Sequence, residues 1–146
     1  MKNSFLIMLF IFTASILFTP SMAQTTPVNE VENAVKANGK YAILVSNTRY
    51  LQAAVNTGSS LKTTKPNISF EVVLIGPVVK ELAQNPDLKA TIQASKSAGI
   101  RLVVCETAMH HFNLQPSDYN AHIEFTPDGF IYLFGLQETG FKTITL

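Results

Sequence analysis

Three short runs of aliphatic and β-branched residues constrain this chain more than any other feature: residues 41–45 (Tyr41-Ala42-Ile43-Leu44-Val45), 70–75 and 100–105. A strand with one wet face alternates polar and apolar residues. A run with almost no alternation has both faces covered, as strands do in a parallel sheet with helices on either side. Helical patterns fill the gaps between the runs. Leu51, Val55, Gly58 and Leu61 recur at helical spacing in a helix to about Lys62, residues 78–84 form a short helix, and Asp87 is expected to cap another that ends at Gly99 with Leu88 and Ile92 inward. Strands alternating with helices give an α/β chain, a three-layer α/β/α sandwich on a five-stranded parallel sheet.

The remainder supplies the outer elements. Residues 107–112 read as one or two helical turns, Pro116-Ser117-Asp118 restarts the chain, and residues 122–125 form a short strand. Pro127-Asp128-Gly129 is a turn, residues 130–138 a helix with Gly140 past its end, and residues 141–145 the last strand. Before the first strand, residues 25–38 read as a helix capped by Thr26, with Pro27 in its first turn, Val28, Val31 and Val35 on one face, and Gly39 as its terminating glycine. Residues 24–40 are therefore a helical extension that docks or simply extends, and residues 41–146 the domain.

At 146 residues and 47% hydrophobic, the chain has room for one domain with a real core. Its net charge is +1 with 14% charged residues and no cluster of Lys and Arg, which argues against a nucleic-acid partner. Residues 1–23 read as a signal peptide: Lys2, an apolar stretch over residues 5–18, then Ser21-Met22-Ala23 with small residues at the cleavage positions. The apolar stretch is shorter than a membrane span, so the expectation is a mature protein starting at Gln24, periplasmic or secreted, with no membrane attachment after cleavage. One cysteine in such a compartment cannot form an internal disulfide; it is buried, paired with another chain, or reactive.

That cysteine, Cys105, closes the third run where the pattern turns helical. Carboxyl ends of strands are where open α/β sheets place their sites, and helix amino ends favour a thiolate. Cys105 is thus the candidate catalytic residue, expected partly exposed, with His110 as its candidate partner one turn into the short helix. Gly76 and Pro77, at the end of the second strand, are expected to shape a pocket wall, with Thr107 beside the thiol and Asn47 after the first strand as further candidate binding residues. Asn47 also reads simply as a turn and helix-cap residue, since no glycine-rich phosphate loop surrounds it. His110, His111 and His122 bring imidazole near one thiol, yet adjacent helical residues point about 100° apart. Neither a metal nor a cofactor is expected. No G-x-S-x-G elbow supports a hydrolase. Phe130, Tyr132, Phe134 and Phe141 read as core or subunit interface.

Phe70-Glu71-Val72-Val73-Leu74-Ile75-Gly76-Pro77, Cys105-Glu106-Thr107-Ala108-Met109 and Leu136-Gln137-Glu138-Thr139-Gly140-Phe141, in that order, resemble the DsrE/DsrF-like family of sulfur-relay proteins over roughly residues 41–146. The resemblance implies a five-stranded parallel sheet between helices and a homo-oligomer, a homotrimer or dimer of trimers. It also implies a cysteine that carries sulfur as a persulfide between a donor and an acceptor, a role only Cys105 can fill here. After that cysteine the chain reads Met109-His110-His111-Phe112-Asn113, where the relay subunits carry small residues and Arg-Gly. Two functions stay open: a sulfur carrier or sulfurtransferase-like protein, and a non-catalytic periplasmic oligomer that keeps the fold and binds a small ligand or partner.

Overall fold

The structure is a computed structural model that describes residues 25–146. The expected signal peptide and the start at Gln24 lie outside the described residues. Five strands, β1 (Lys40–Val45), β2 (Ser69–Leu74), β3 (Arg101–Cys105), β4 (Glu124–Thr126) and β5 (Lys142–Thr145), form one sheet in the order β4-β3-β2-β1-β5. Every pairing is parallel. This is the α/β sandwich expected from the unalternating runs: Val45, Val72, Val73, Leu74, Leu102 and Val104 are fully or almost fully buried.

The two faces of the sheet are covered unequally. On one, Ile43, Val45, Phe70, Val72, Leu74, Leu102 and Val104 join side chains of α2 (Thr48–Thr64), α3 (Pro77–Gln84), α4 (Lys89–Ala98) and α5 (Glu106–His111) in the main core. On the other, Ala42, Leu44 and Val73 meet Leu133 and Leu136 of α6 (Gly129–Glu138) in a smaller cluster, with Ile75, Tyr132 and Phe141 against it. Side chains of successive strand residues point to opposite faces, so β1 and β2 feed both clusters.

Several local expectations are corrected. The first helix, α1, is only Val28–Asn33, with Pro27 rather than Thr26 at its N-cap and no buried residue. Val28 and Val31 are exposed, while Glu32 and Asn33 line a groove with residues of α2, so α1 lies beside the domain without entering its core. Gly39 does not terminate it. Asp87 does not cap α4. Instead Asn85 accepts from the Asp87 N–H at 3.0 Å and starts a 3-10 turn, Pro86–Leu88, that runs into α4. β4 begins two residues later than the expected strand, because Ile123 N–H bonds back to the Asn120 carbonyl in a turn before pairing starts.

Candidate functional site

β3 and β4 are neighbours, but their following helices part company. α5 leaves β3 toward the main core, where Met109 is buried; α6 leaves β4 toward the opposite face. Such a divergence opens a crevice beyond the carboxyl ends of the two strands, the place where open α/β sheets bind ligands. Cys105 and Thr126 are the paired last residues of those strands. Cys105 therefore stands at the divergence.

A pocket of about 600 Å³ occupies the crevice, lined by Ile75, Gly76, Pro77, Cys105, Thr107, Ala108, His111, Phe112, Asp128 and Phe130. Its walls follow from local chemistry. Gly76 holds φ +61°, ψ −147°, a conformation closed to residues with a Cβ, and so turns the chain sharply from β2 into α3 with Pro77 in its first turn. Thr107 ties α5 to the loop before α6: its hydroxyl donates to the Pro127 carbonyl at 2.8 Å, and its backbone N–H donates to the same oxygen. Asp128 caps α6, its carboxylate accepting from the N–H groups of Phe130 at 2.8 Å and Ile131 at 3.1 Å.

Cys105 is 6% exposed and so buried, which corrects the expected partial exposure; what access it has is through the pocket. It is the N-cap residue of α5 but makes no side-chain capping bond, and the Thr107 N–H is engaged by the Pro127 carbonyl instead of the sulfur. The residues expected at the site divide. Cys105, Gly76, Pro77 and Thr107 share the pocket; His110 is exposed and outside its lining, whereas His111 is on the wall, its ring edge-on to Phe112 at 5.1 Å between centroids. Asn47 also lies outside it and caps α2, accepting from the Tyr50 N–H at 3.0 Å. Among the described residues no group of three or more His, Cys, Asp or Glu could hold a metal ion.

Sequence reasoning passed over Asp128, read only as part of a turn, and Phe112. It also passed over a polar cluster at the other end of the α6 face. Glu71, only 3% exposed, accepts from Arg101 Nη1 at 2.8 Å and from the Tyr132 hydroxyl at 2.7 Å; Arg101 reaches on to Glu124, its Nε donating at 2.9 Å. The bond from Arg101 holds the Glu124 carboxyl below its ordinary range, and Glu124 in turn raises the guanidinium's affinity for its proton. Burial, then the bond to Glu71, push the Tyr132 hydroxyl up to about 12. The signal was present: a lone Glu inside an apolar run requires a partner, and Arg101 is its register mate on β3.

The protein of unknown function MTH1491 from Methanobacterium thermoautotrophicum has the same fold, with a TM-score of 0.67 at 13% identity over 74% of this chain and 99% of that one. The ychN protein from E. coli gives 0.63 at 13% identity over 74% and 99%. The conserved protein of unknown function BT1422 from Bacteroides thetaiotaomicron gives 0.59 at 21% identity over 78% and 100%. No curated protein matches the chain. The family model for the DsrE/DsrF-like family matches residues 39–146, which span every strand and all of the pocket, and the chain belongs to that family.

Proposed function

We propose that the protein is a sulfur carrier that holds sulfur as a persulfide on Cys105. One observation carries this reading: the chain's single thiol lines a pocket at the divergence of α5 and α6. The chemistry needs little else. The Cys105 thiolate attacks the outer sulfur of a donor persulfide, R–S–SH; a bond forms between Sγ and that sulfur, the donor's S–S bond breaks, and the donor leaves as a thiol after taking up a proton. Oxidation states are exchanged between donor and carrier, so no outside oxidant is required. Attack by an acceptor thiol on the outer sulfur returns Cys105 to its starting state. His111 on the pocket wall is the group that takes and returns the proton. The reading includes cleavage of residues 1–23, a periplasmic or secreted location, and a homotrimer or dimer of trimers, all carried from the sequence.

The test is intact mass after exposure to a persulfide donor, with Cys105→Ser beside it. A gain of one sulfur atom in the wild type and none in the variant is the expected result; no gain in either removes the carrier. Burial of the thiol behind mostly apolar walls favours a second reading, a non-catalytic module that binds a small apolar ligand there. That module would protect Cys105 from alkylation when its ligand is bound and would gain no sulfur.

A further inference from the structure

We infer that the thiol pocket takes a small thiol or persulfide that carries a protonated amine and no carboxylate. The inference rests on the sulfur-carrier reading for its sulfur chemistry and adds the class of substrate. Charge around the pocket is one-sided: Asp128 lines it, and no Lys or Arg does. Ile75, Ala108, Phe112 and Phe130 supply apolar and aromatic walls, and the faces of aromatic rings attract cations rather than anions. A cavity of about 600 Å³ is the size of a small-molecule site.

The donors that could hold an anion there are mostly spent. The Thr107 hydroxyl and N–H both bond the Pro127 carbonyl. The amino end of α6, where an anion would ordinarily be drawn, has its Phe130 and Ile131 N–H groups taken by Asp128. His111 is the one side chain of the lining left with a ring nitrogen to offer. Asp128 is placed differently. Both capping bonds fall on Oδ1, while Oδ2 takes none among the described residues and stays in contact with solvent. The cap keeps the carboxylate from swinging away, and an ammonium N–H is the strong partner for such an oxygen.

Carboxylate and thiol share one end of the pocket, because Asp128 precedes Gly129, where a Cβ would stand 3.3 Å from the cysteine Cβ. Attack by the Cys105 thiolate brings a second negative charge beside Asp128 and moves it to the departing sulfur. An anionic donor adds a third, with no Lys or Arg in the lining to offset it. An ammonium group at Oδ2 offsets one instead. Charges act on each other more strongly between apolar walls than in water, so one residue both refuses the anion and selects the cation.

The experiment measures exchange of Cys105 with three symmetric disulfides of similar size: cystamine with ammonium ends, bis(2-hydroxyethyl) disulfide with neutral ends, and dithiodiglycolate with carboxylate ends. In each, Sγ bonds one sulfur of the reagent, the reagent's S–S bond breaks, and the other half leaves as a thiolate that takes up a proton. Each rate is divided by that of the same chain in urea, which removes the reagent's own reactivity and the local effect of Glu106. The native-to-unfolded ratio should be about tenfold higher for cystamine than for dithiodiglycolate, with the neutral reagent between them. Asp128→Asn should bring the three ratios together, and high salt should narrow their spread in the wild type. Equal or reversed ratios in the wild type, no exchange in the native chain, or a spread that survives both Asp128→Asn and salt overturns the inference. Persulfides of the same three thiols, followed by intact mass, distinguish it from the reading beneath it. Sulfur gained equally from all three keeps the carrier and removes the selection; the charge order in exchange with no sulfur gained removes the carrier and keeps the selection.

Discussion

Gly129 lies against Cys105 so closely that a Cβ at residue 129 would stand 3.3 Å from the cysteine Cβ and 2.7 Å from Ile75 Cγ2. Only a glycine lets the first turn of α6 approach the end of β3 in this way. Gly129→Ala should therefore push α6 off the sheet, destabilising the fold by about 1–3 kcal/mol as overpacking does. It should also speed Cys105 alkylation. A variant as stable as the wild type, with an unchanged labelling rate, would show that α6 does not guard the thiol.

The bond from Tyr132 to Glu71 joins α6 to the sheet at the far end of the same face. Removing Arg101 leaves Glu71 buried with one partner. Arg101→Met should cost about 2 kcal/mol, below the usual figure for breaking a buried pair because half of the Arg101 side chain is wet. Glu71→Gln in the Arg101→Met background should recover part of that loss. Urea unfolding of the single and double variants checks both values, and full additivity would deny the pairing.

Two tyrosines set the alkaline limit. Tyr132 is pushed up to about 12 by burial and by Glu71, and Tyr119 to about 12 by burial and by Asp118, from an ordinary 10.0. A raised folded value means the native chain keeps protons that the unfolded chain releases. Their contribution is complete below pH 10 and is lost as pH climbs toward 12. Glu124 works in the opposite sense: held low by Arg101, it contributes above the unfolded value of 4.5, and its part is lost on further acidification through its lower folded value. Denaturant midpoints across pH should fall on both sides, and Tyr132→Phe should flatten the alkaline limb. An equally steep limb in that variant would assign the slope elsewhere.

Asp128 places a carboxylate on the pocket wall while it caps α6. Asp128→Asn keeps a capping oxygen and removes the charge, so α6 should stay in place; Asp128→Ala should cost about 1 kcal/mol. Loss of the charge should favour an anionic reagent. The rate of Cys105 modification by iodoacetate relative to iodoacetamide should rise in the Asn variant, and an unchanged ratio would mean that the carboxylate does not face the reagent's path.

The fold could be read from the sequence because unalternating apolar runs allow few arrangements, and Gly99 and Gly140 each end a helix at positive φ as read. Cys105, Gly76, Pro77 and Thr107 were legible as neighbours because all sit at strand ends, where topology alone brings them together. His111 in place of His110 was not legible: one step along a helix turns a side chain by about 100°, and a six-residue helix can start a residue early. Asp128 was hidden for a different reason. Turn residues carry no periodicity, so nothing in the pattern distinguishes an aspartate that merely turns the chain from one that also walls a cavity.

The lopsided covering of the sheet bears on how the chain is made. The main core uses elements that end with β4, whereas the cover over the Cys105 side comes from residues 129–146, which leave the ribosome after them. With cores free to form as they emerge, β1 to β4 and the helices of the main core can assemble while this side is still bare. The thiol at the end of β3 is therefore made before the helix that covers it, and its burial waits on α6 closing over the sheet.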